Sequence, residues 1–283
     1  MKLILSFFAF TIIGIYSPAQ SVHFGIFGGA SAYNGDLTQK LLQKNLLHAV
    51  VGITGNYELG DQFMLRAGVT MSKLGAADRY NVDSTTIKRN LSFETSLLEF
   101  SLVGEYYLLN LYNRRYSPYA FAGLAVYHYN PYTYTTTGEK VYLRPLSTEG
   151  QGVSGYPTRK VYPLTQIAIP FGGGIKFAIN DNLRIGAEIG FRKLFTDYLD
   201  DVSSEYANPN DLLAAKGQMA VDLSYRGDEL PGGDPTYPAK GAQRGGSDKK
   251  DYYYFGGLHL TYRLGGENGM GKRNKTGCPT NIY

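Results

Sequence analysis

Eight stretches of the chain alternate apolar and polar residues with a period of two: 22–33, 47–58, 62–74, 93–107, 117–129, 164–179, 183–196 and 251–264. That period puts successive side chains on opposite faces of an extended backbone, so each stretch predicts a two-faced β-strand. In LRIGAEIGFRKLF, Leu183, Ile185, Ala187, Ile189 and Phe191 share one face, and Arg184, Glu188 and Arg192 share the other. QFMLRAGVTMS divides Phe63, Leu65, Val69 and Met71 from Arg66, Thr70 and Ser72. LLEFSLVGEYYL divides Leu98, Phe100, Leu102 and Tyr106 from Glu99, Ser101 and Glu105. The last stretch divides Tyr252, Tyr254, Leu258, Leu260 and Tyr262 from His259, Thr261 and Arg263.

The connections choose between a soluble sandwich and a membrane barrel. LGDQ, LNLYNRRYS and NDN are tight or modest turns, whereas 34–46, 75–92, 130–163 and 197–250 are long. Short turns alternating with long loops are the mark of an outer-membrane barrel, and a compact soluble domain rarely carries such lengths of structureless chain. The expectation is an all-β protein: an eight-stranded antiparallel transmembrane outer-membrane β-barrel, with short periplasmic turns and long extracellular loops.

The N-terminus supports export. Lys2 precedes an apolar run over 3–16, and Ser17, Pro18 and Ala19 supply small residues for cleavage, so residues 1–19 read as a signal peptide. The barrel then spans 20–264, and 265–283 read as a flexible, Gly-rich, basic periplasmic tail. An even strand number returns both termini to the short-turn end. Composition agrees, with 35 Gly and 25 Tyr, the latter suited to the hydrocarbon–water boundary. The formal charge of +4 gives no reason to expect a nucleic-acid partner.

Eight strands enclose a bore filled by side chains, too narrow for a solute channel. The inward faces carry Arg66, Lys176, Arg184, Arg192 and Arg263 against Glu58, Glu99, Glu105 and Glu188. Ion pairing is the simple expectation for such a charge network, because unpaired charges are costly away from water. A proton or ion path is the sharper alternative.

Little chemistry is on offer. His23 and His259 face inward, His48 opens the second strand, and His128 lies near the outer end of the fifth. No H-x-S pairing accompanies any of them, so no catalytic residue is expected and a lipid-modifying enzyme is disfavoured. The run TDYLDDVSSEY gathers Asp197, Asp200, Asp201 and Glu205, but it departs from the twelve-residue calcium-loop pattern and reads as a solvated loop, with no metal. The glycines of GGASAYNGD and FGGGIKF lack a phosphate-loop Lys and read as sites of bending and close strand packing, with no cofactor. Cys278 is the sole cysteine and cannot pair within its chain. In an exported protein it points to an intermolecular disulfide or a free thiol, and Lys272, Arg273 and Lys275 beside it favour the thiolate, though a tail cysteine can also be incidental.

The stretches FGIFGGASAYNGDL and FGGGIKFAINDNLRIGAEIGFRKLFTDYLDDVS, with the terminal Cys-Pro tail, resemble the PorG family of Bacteroidota outer-membrane barrels. The resemblance runs along most of the mature chain and is strongest at the first strand and the sixth-to-seventh hairpin. It implies a component of the type IX secretion system, active in protein transport and, in gliding relatives, motility. It further implies partners resembling the PorK lipoprotein and PorN of a periplasmic ring, with Cys278 on the docking tail and outer-membrane lipid around the wall. A generic small barrel for membrane tethering or surface adhesion is the alternative; neither reading requires a small-molecule substrate.

Overall fold

The computed structural model describes residues 21–38, 44–246 and 250–264. The proposed signal peptide and the tail bearing Lys272, Arg273, Lys275 and Cys278 lie outside them. Eight long strands form the wall: β1 (Val22–Asn34), β2 (His48–Glu58), β3 (Phe63–Ala77), β4 (Ser92–Tyr107), β5 (Tyr116–His128), β8 (Thr165–Ala178), β9 (Leu183–Leu194) and β10 (Tyr252–Leu264). Two short strands, β6 (Tyr132–Tyr134) and β7 (Lys140–Tyr142), make a hairpin on the loop between β5 and β8. Each wall strand pairs antiparallel with the next, and β1 pairs with β10 from Val22↔Leu264 to Asn34↔Tyr252. The ring is closed, and no wall strand is left with an open edge.

Alternation decides which side chains face out. Ile26, Val51, Ile53, Met71, Phe100, Leu102, Leu124, Ile167, Ile175 and Leu258 all point away from the barrel and are at least half exposed. An apolar band of that extent in water would be an aggregation surface, whereas against acyl chains it is the favourable arrangement. At the short-turn end the band closes on rings: Phe63 packs on Tyr106 at 4.9 Å, and Tyr116 pairs in register with Phe177. Aromatic side chains of this kind suit the headgroup boundary. Close approach at the seam needs glycine, since a Cβ on Gly29 would stand 2.2 Å from the Gly256 carbonyl oxygen.

The turns over 59–62, 108–115 and 179–182 share one end of the barrel. The described parts of the long loops at the other end differ from expectation: they form an ordered cap. Helices α1 (Ser84–Arg89), α2 (Pro209–Lys216) and α3 (Gln218–Ser224) join the β6–β7 hairpin there. Leu37, Leu143, Leu199, Val202 and Leu223 of the loops share a core with Leu74, Phe93, Tyr127, Leu194 and Tyr253 of the strands. Arg226 clamps the cap from within, donating to Thr133, the Tyr134 carbonyl and Glu229. A strand-period search misses this packing because the loops carry no repeat, and their order comes from contacts between distant segments.

The outward band makes a direct prediction. Leu124 is 63 % exposed on the wall and Val82 is 70 % exposed in the cap. Leu124→Arg should cost about 2–4 kcal/mol of folding free energy in a lipid bilayer if it lies near the midplane. Val82→Arg should stay within about 0.5 kcal/mol. Reversible folding into vesicles, followed by denaturant titration, separates the two; equal effects would count against a lipid-facing wall.

Candidate functional site

Inside the wall, charged side chains from six strands meet in layers. Nearest the turns, Glu58 of β2 accepts from Arg184 of β9 at 2.9 Å, from Tyr112 at 2.5 Å and from the Ser21 hydroxyl. Arg263 lies beside this layer, 5.8 Å from the Tyr112 ring. In the middle, Glu105 of β4 takes Arg66 of β3 at 3.1 Å on one oxygen and Lys176 of β8 at 3.0 Å on the other. Arg66 also donates to Glu188 at 2.7 Å, and the Tyr119 hydroxyl donates to the same carboxylate at 2.5 Å. Towards the cap, Arg192 donates to Glu99 at 3.1 and 3.2 Å while the Tyr253 hydroxyl donates at 2.6 Å. Lys176, Glu99 and Glu105 are almost wholly removed from solvent.

Such a lumen is solid. Arg66 stacks over Phe121 at 4.8 Å, Lys176 lies 5.0 Å from the Tyr119 ring, and Arg192 lies 4.0 Å from the Phe255 ring. Rings therefore fill the space between ion pairs. Among the described residues, one carboxylate–histidine trio has ligand atoms within 4.8 Å of one another: Glu105, Glu188 and His259. The Arg66 guanidinium touches all three, standing 3.3 Å from His259 Nδ1, so a protein cation already occupies the place a metal would take.

Two imidazoles are held by hydroxyl neighbours. His259 Nε2 meets Thr54 at 2.8 Å, and His128, on the exposed side, meets Thr165 at 2.9 Å. His23 forms a grouping that an H-x-S spacing does not reveal, because its order is Ser21-Val22-His23 with Glu58 added from the next strand. It is not a nucleophile–base–acid relay. Ser21 and Glu58 both approach the same nitrogen, Nε2, at 3.3 and 3.0 Å, and the Ser21 proton goes to Glu58. A relay needs the base to hold the nucleophile on one nitrogen and the acid on the other.

The acidic run is also placed differently from expectation. Asp197, Asp200 and Asp201 are buried in the cap, and only Glu205 is exposed, where Arg159 meets it at 3.0 Å. The solvated-loop reading is therefore corrected for those three aspartates, which act as internal acceptors. Asp201 takes the Thr148 and Tyr162 hydroxyls, both at 2.5 Å, and Asp197 takes Ser203 at 2.8 Å. Burial pushes both Asp197 and Asp201 up to about 6, with Arg244 partly opposing the shift at Asp201. Two arginines balance other acids nearby: Arg244 meets Glu149 at 3.0 Å, and Arg89 meets Asp78 at 2.7 Å.

A closed antiparallel barrel with an apolar exterior and a packed, charged interior defines a transmembrane β-barrel of the outer-membrane kind. A family model described as a domain of unknown function, DUF6089, matches residues 2–216, and the chain belongs to that family. No curated protein matches it in sequence. Solved structures with a similar shape include the surface protein NspA of Neisseria, at 9 % identity and a TM-score of 0.45, covering 87 % of this chain and 99 % of that one. The attachment invasion locus protein Ail of Yersinia pestis is similar at 10 % identity and a TM-score of 0.41, covering 87 % and 99 % respectively. OprG of Pseudomonas aeruginosa stands at 10 % and 0.41, covering 86 % and 97 %. At that distance they add nothing to what the strand register already shows.

Two predictions follow from the charges. Glu105→Ala leaves Lys176 without its carboxylate and Arg66 with Glu188 alone in a dry interior, so it should cost about 3–5 kcal/mol, whereas Glu105→Leu with Lys176→Met should recover much of that loss. Denaturant midpoints in lipid or detergent measure both, and a neutral single variant would contradict the pairing. In the cap, the folded pKa of Asp201 lies above its unfolded value of 3.8. Stability from that proton is present below about pH 4 and is lost as pH rises through about 6, on the order of 3 kcal/mol. Amide exchange at 199–204, corrected for intrinsic rates, should report looser protection across that window, and Asp201→Asn should flatten it.

Proposed function

We propose that this chain is a non-enzymatic anchor in the outer membrane, serving the type IX protein secretion machinery and, where the machine drives gliding, motility. In this reading the barrel holds the protein in lipid, and its turn side docks a periplasmic ring with partners resembling PorK and PorN. The observation that carries it is the seam register: Val22 pairs with Leu264, so the chain leaves the wall for residues 265–283 at the short-turn end. The packed lumen supports an anchoring role, since ion pairs and rings fill space that a solute would need.

Cys278 gives the tether its chemistry, and Lys272, Arg273 and Lys275 would assist contact by favouring the thiolate. A disulfide to a ring protein requires an oxidising compartment, which the periplasm supplies. A second reading, a barrel for tethering or surface adhesion, draws on the ordered cap, because rigid loops present a binding surface better than slack ones do.

Membranes analysed by electrophoresis without reductant should show the chain in a larger species that collapses on reduction and is absent in Cys278→Ser. Ring proteins should co-purify with the wild type. An unshifted band, together with a clean purification lacking ring proteins, would sink the anchor reading and leave the adhesion one.

A further inference from the structure

The longest loop, between β9 and β10, leaves the wall one strand away from β1 and re-enters it beside the top of β1. Asp200 stands near its start and Asp251 at its end, and both meet one phenol. The Tyr33 hydroxyl lies 2.6 Å from Asp200 Oδ2 and 2.9 Å from Asp251 Oδ1. All three side chains are buried. The other carboxylate oxygens are already used, Asp200 Oδ1 by the Val202 amide and Asp251 Oδ2 by the Leu199 amide, each at 2.9 Å.

A phenol has one proton and can donate to one acceptor at a time. Two ionised carboxylates against one hydroxyl would leave an oxygen–oxygen contact with no hydrogen in it, in a site shielded from water. One further proton resolves the contact: a carboxylic acid donates to the Tyr33 oxygen, and Tyr33 donates to the opposite carboxylate. Neighbouring charges favour retaining that proton. Asp36 from the loop after β1, Glu149 from the β5–β8 loop, and Asp197 and Asp201 from the β9–β10 loop are all acidic. The buried Arg244 and the half-buried Arg89 are paired with Glu149 and Asp78, while Lys250 is exposed and acts on Asp197. The phenols of Tyr127, Tyr129 and Tyr162 complete the surroundings.

We propose that Asp200, Tyr33 and Asp251 form a proton-binding site that latches both ends of the longest loop to β1, and that loss of this one proton loosens the cap. The balance is simple: the proton leaves to solvent, no bond between heavy atoms changes, and two like charges remain about one phenol. The function is a pH-responsive closure of the barrel's capped end. Burial raises both carboxyls well above their usual range, with Asp251 and Asp36 adding to the shift at Asp200, and Asp197 and Asp36 adding to it at Asp251, in keeping with this site.

Asparagine is close to isosteric with the acid form, and its amide can donate to the Tyr33 oxygen just as the carboxylic acid does. Asp200→Asn and Asp251→Asn should each keep the cap closed while removing its response to pH. The full chain in lipid nanodiscs is the sample, examined by infrared spectroscopy and by amide exchange at 199–202 and 252–254. The wild type should show a carboxylic-acid carbonyl band at neutral pH that either substitution removes. Its opening equilibrium, corrected for intrinsic exchange, should rise by up to about tenfold per pH unit once the proton is released. Both asparagine variants should lack that slope. Wild-type opening that is unchanged from about pH 6 to about pH 9, or asparagine variants that keep the wild-type slope, would overturn the proposal. So would opening of the wild type at neutral pH by a calcium chelator, since a cation would then be holding the two acids together. If neither variant folds, the infrared band of the wild type still decides: its absence at neutral pH overturns the site.

Discussion

Everything in this molecule follows from closing the hydrogen-bond ladder between β1 and β10. Hydrocarbon offers no partner to a backbone amide or carbonyl, so a sheet that enters lipid must close on itself. From Val22↔Leu264 to Asn34↔Tyr252 the first and last strands meet that demand. Closure sorts each alternating strand into an outward apolar set and an inward polar set, and it compresses the polar set into a narrow bore. The charge layers are a consequence. Arg66, Lys176, Arg184 and Arg192 are tolerable inside only because Glu105, Glu188, Glu58 and Glu99 stand within ion-pair distance. A bore neutralised in this way is well suited to holding a protein in a membrane and poorly suited to passing solutes.

The barrel was legible in the chain because its determinant is local. In LRIGAEIGFRKLF the alternation alone separates Ile185 and Ile189 from Arg184 and Glu188, and β9 presents them so. The turns LGDQ and NDN were equally plain, since few residues can join paired strands so tightly. Partner identity inside the bore was a different matter. Glu105 and Lys176 are 71 residues apart, and Arg66 and Glu188 are 122 apart. Closure sets which of several inward cations faces which acid, and a one-dimensional pattern does not carry that information.

The cap was read least well, for a physical reason. Its segments have no period, and composition alone makes TDYLDDVSSEY a solvated acidic loop. In the fold those carboxylates instead bind backbone amides and hydroxyls brought from Thr148, Tyr162, Ser203 and Tyr33. Isolated carboxylates would resist burial; carboxylates that accept two or three hydrogen bonds, or share a proton, can replace an apolar core. The same loops make the capped end rigid, while the opposite end carries short turns and the exit to the cysteine-bearing tail.

The most direct test of this account is nuclear magnetic resonance of the protein in lipid nanodiscs, directed at the seam. The account predicts through-space contacts linking the amides of Phe24 and Ile26 with those of Tyr262 and Leu260, and seam amides that resist exchange with water. Rapid exchange along β1 and β10 with no contacts between them would mean an open sheet, and the sealed, lipid-embedded cylinder would be contradicted.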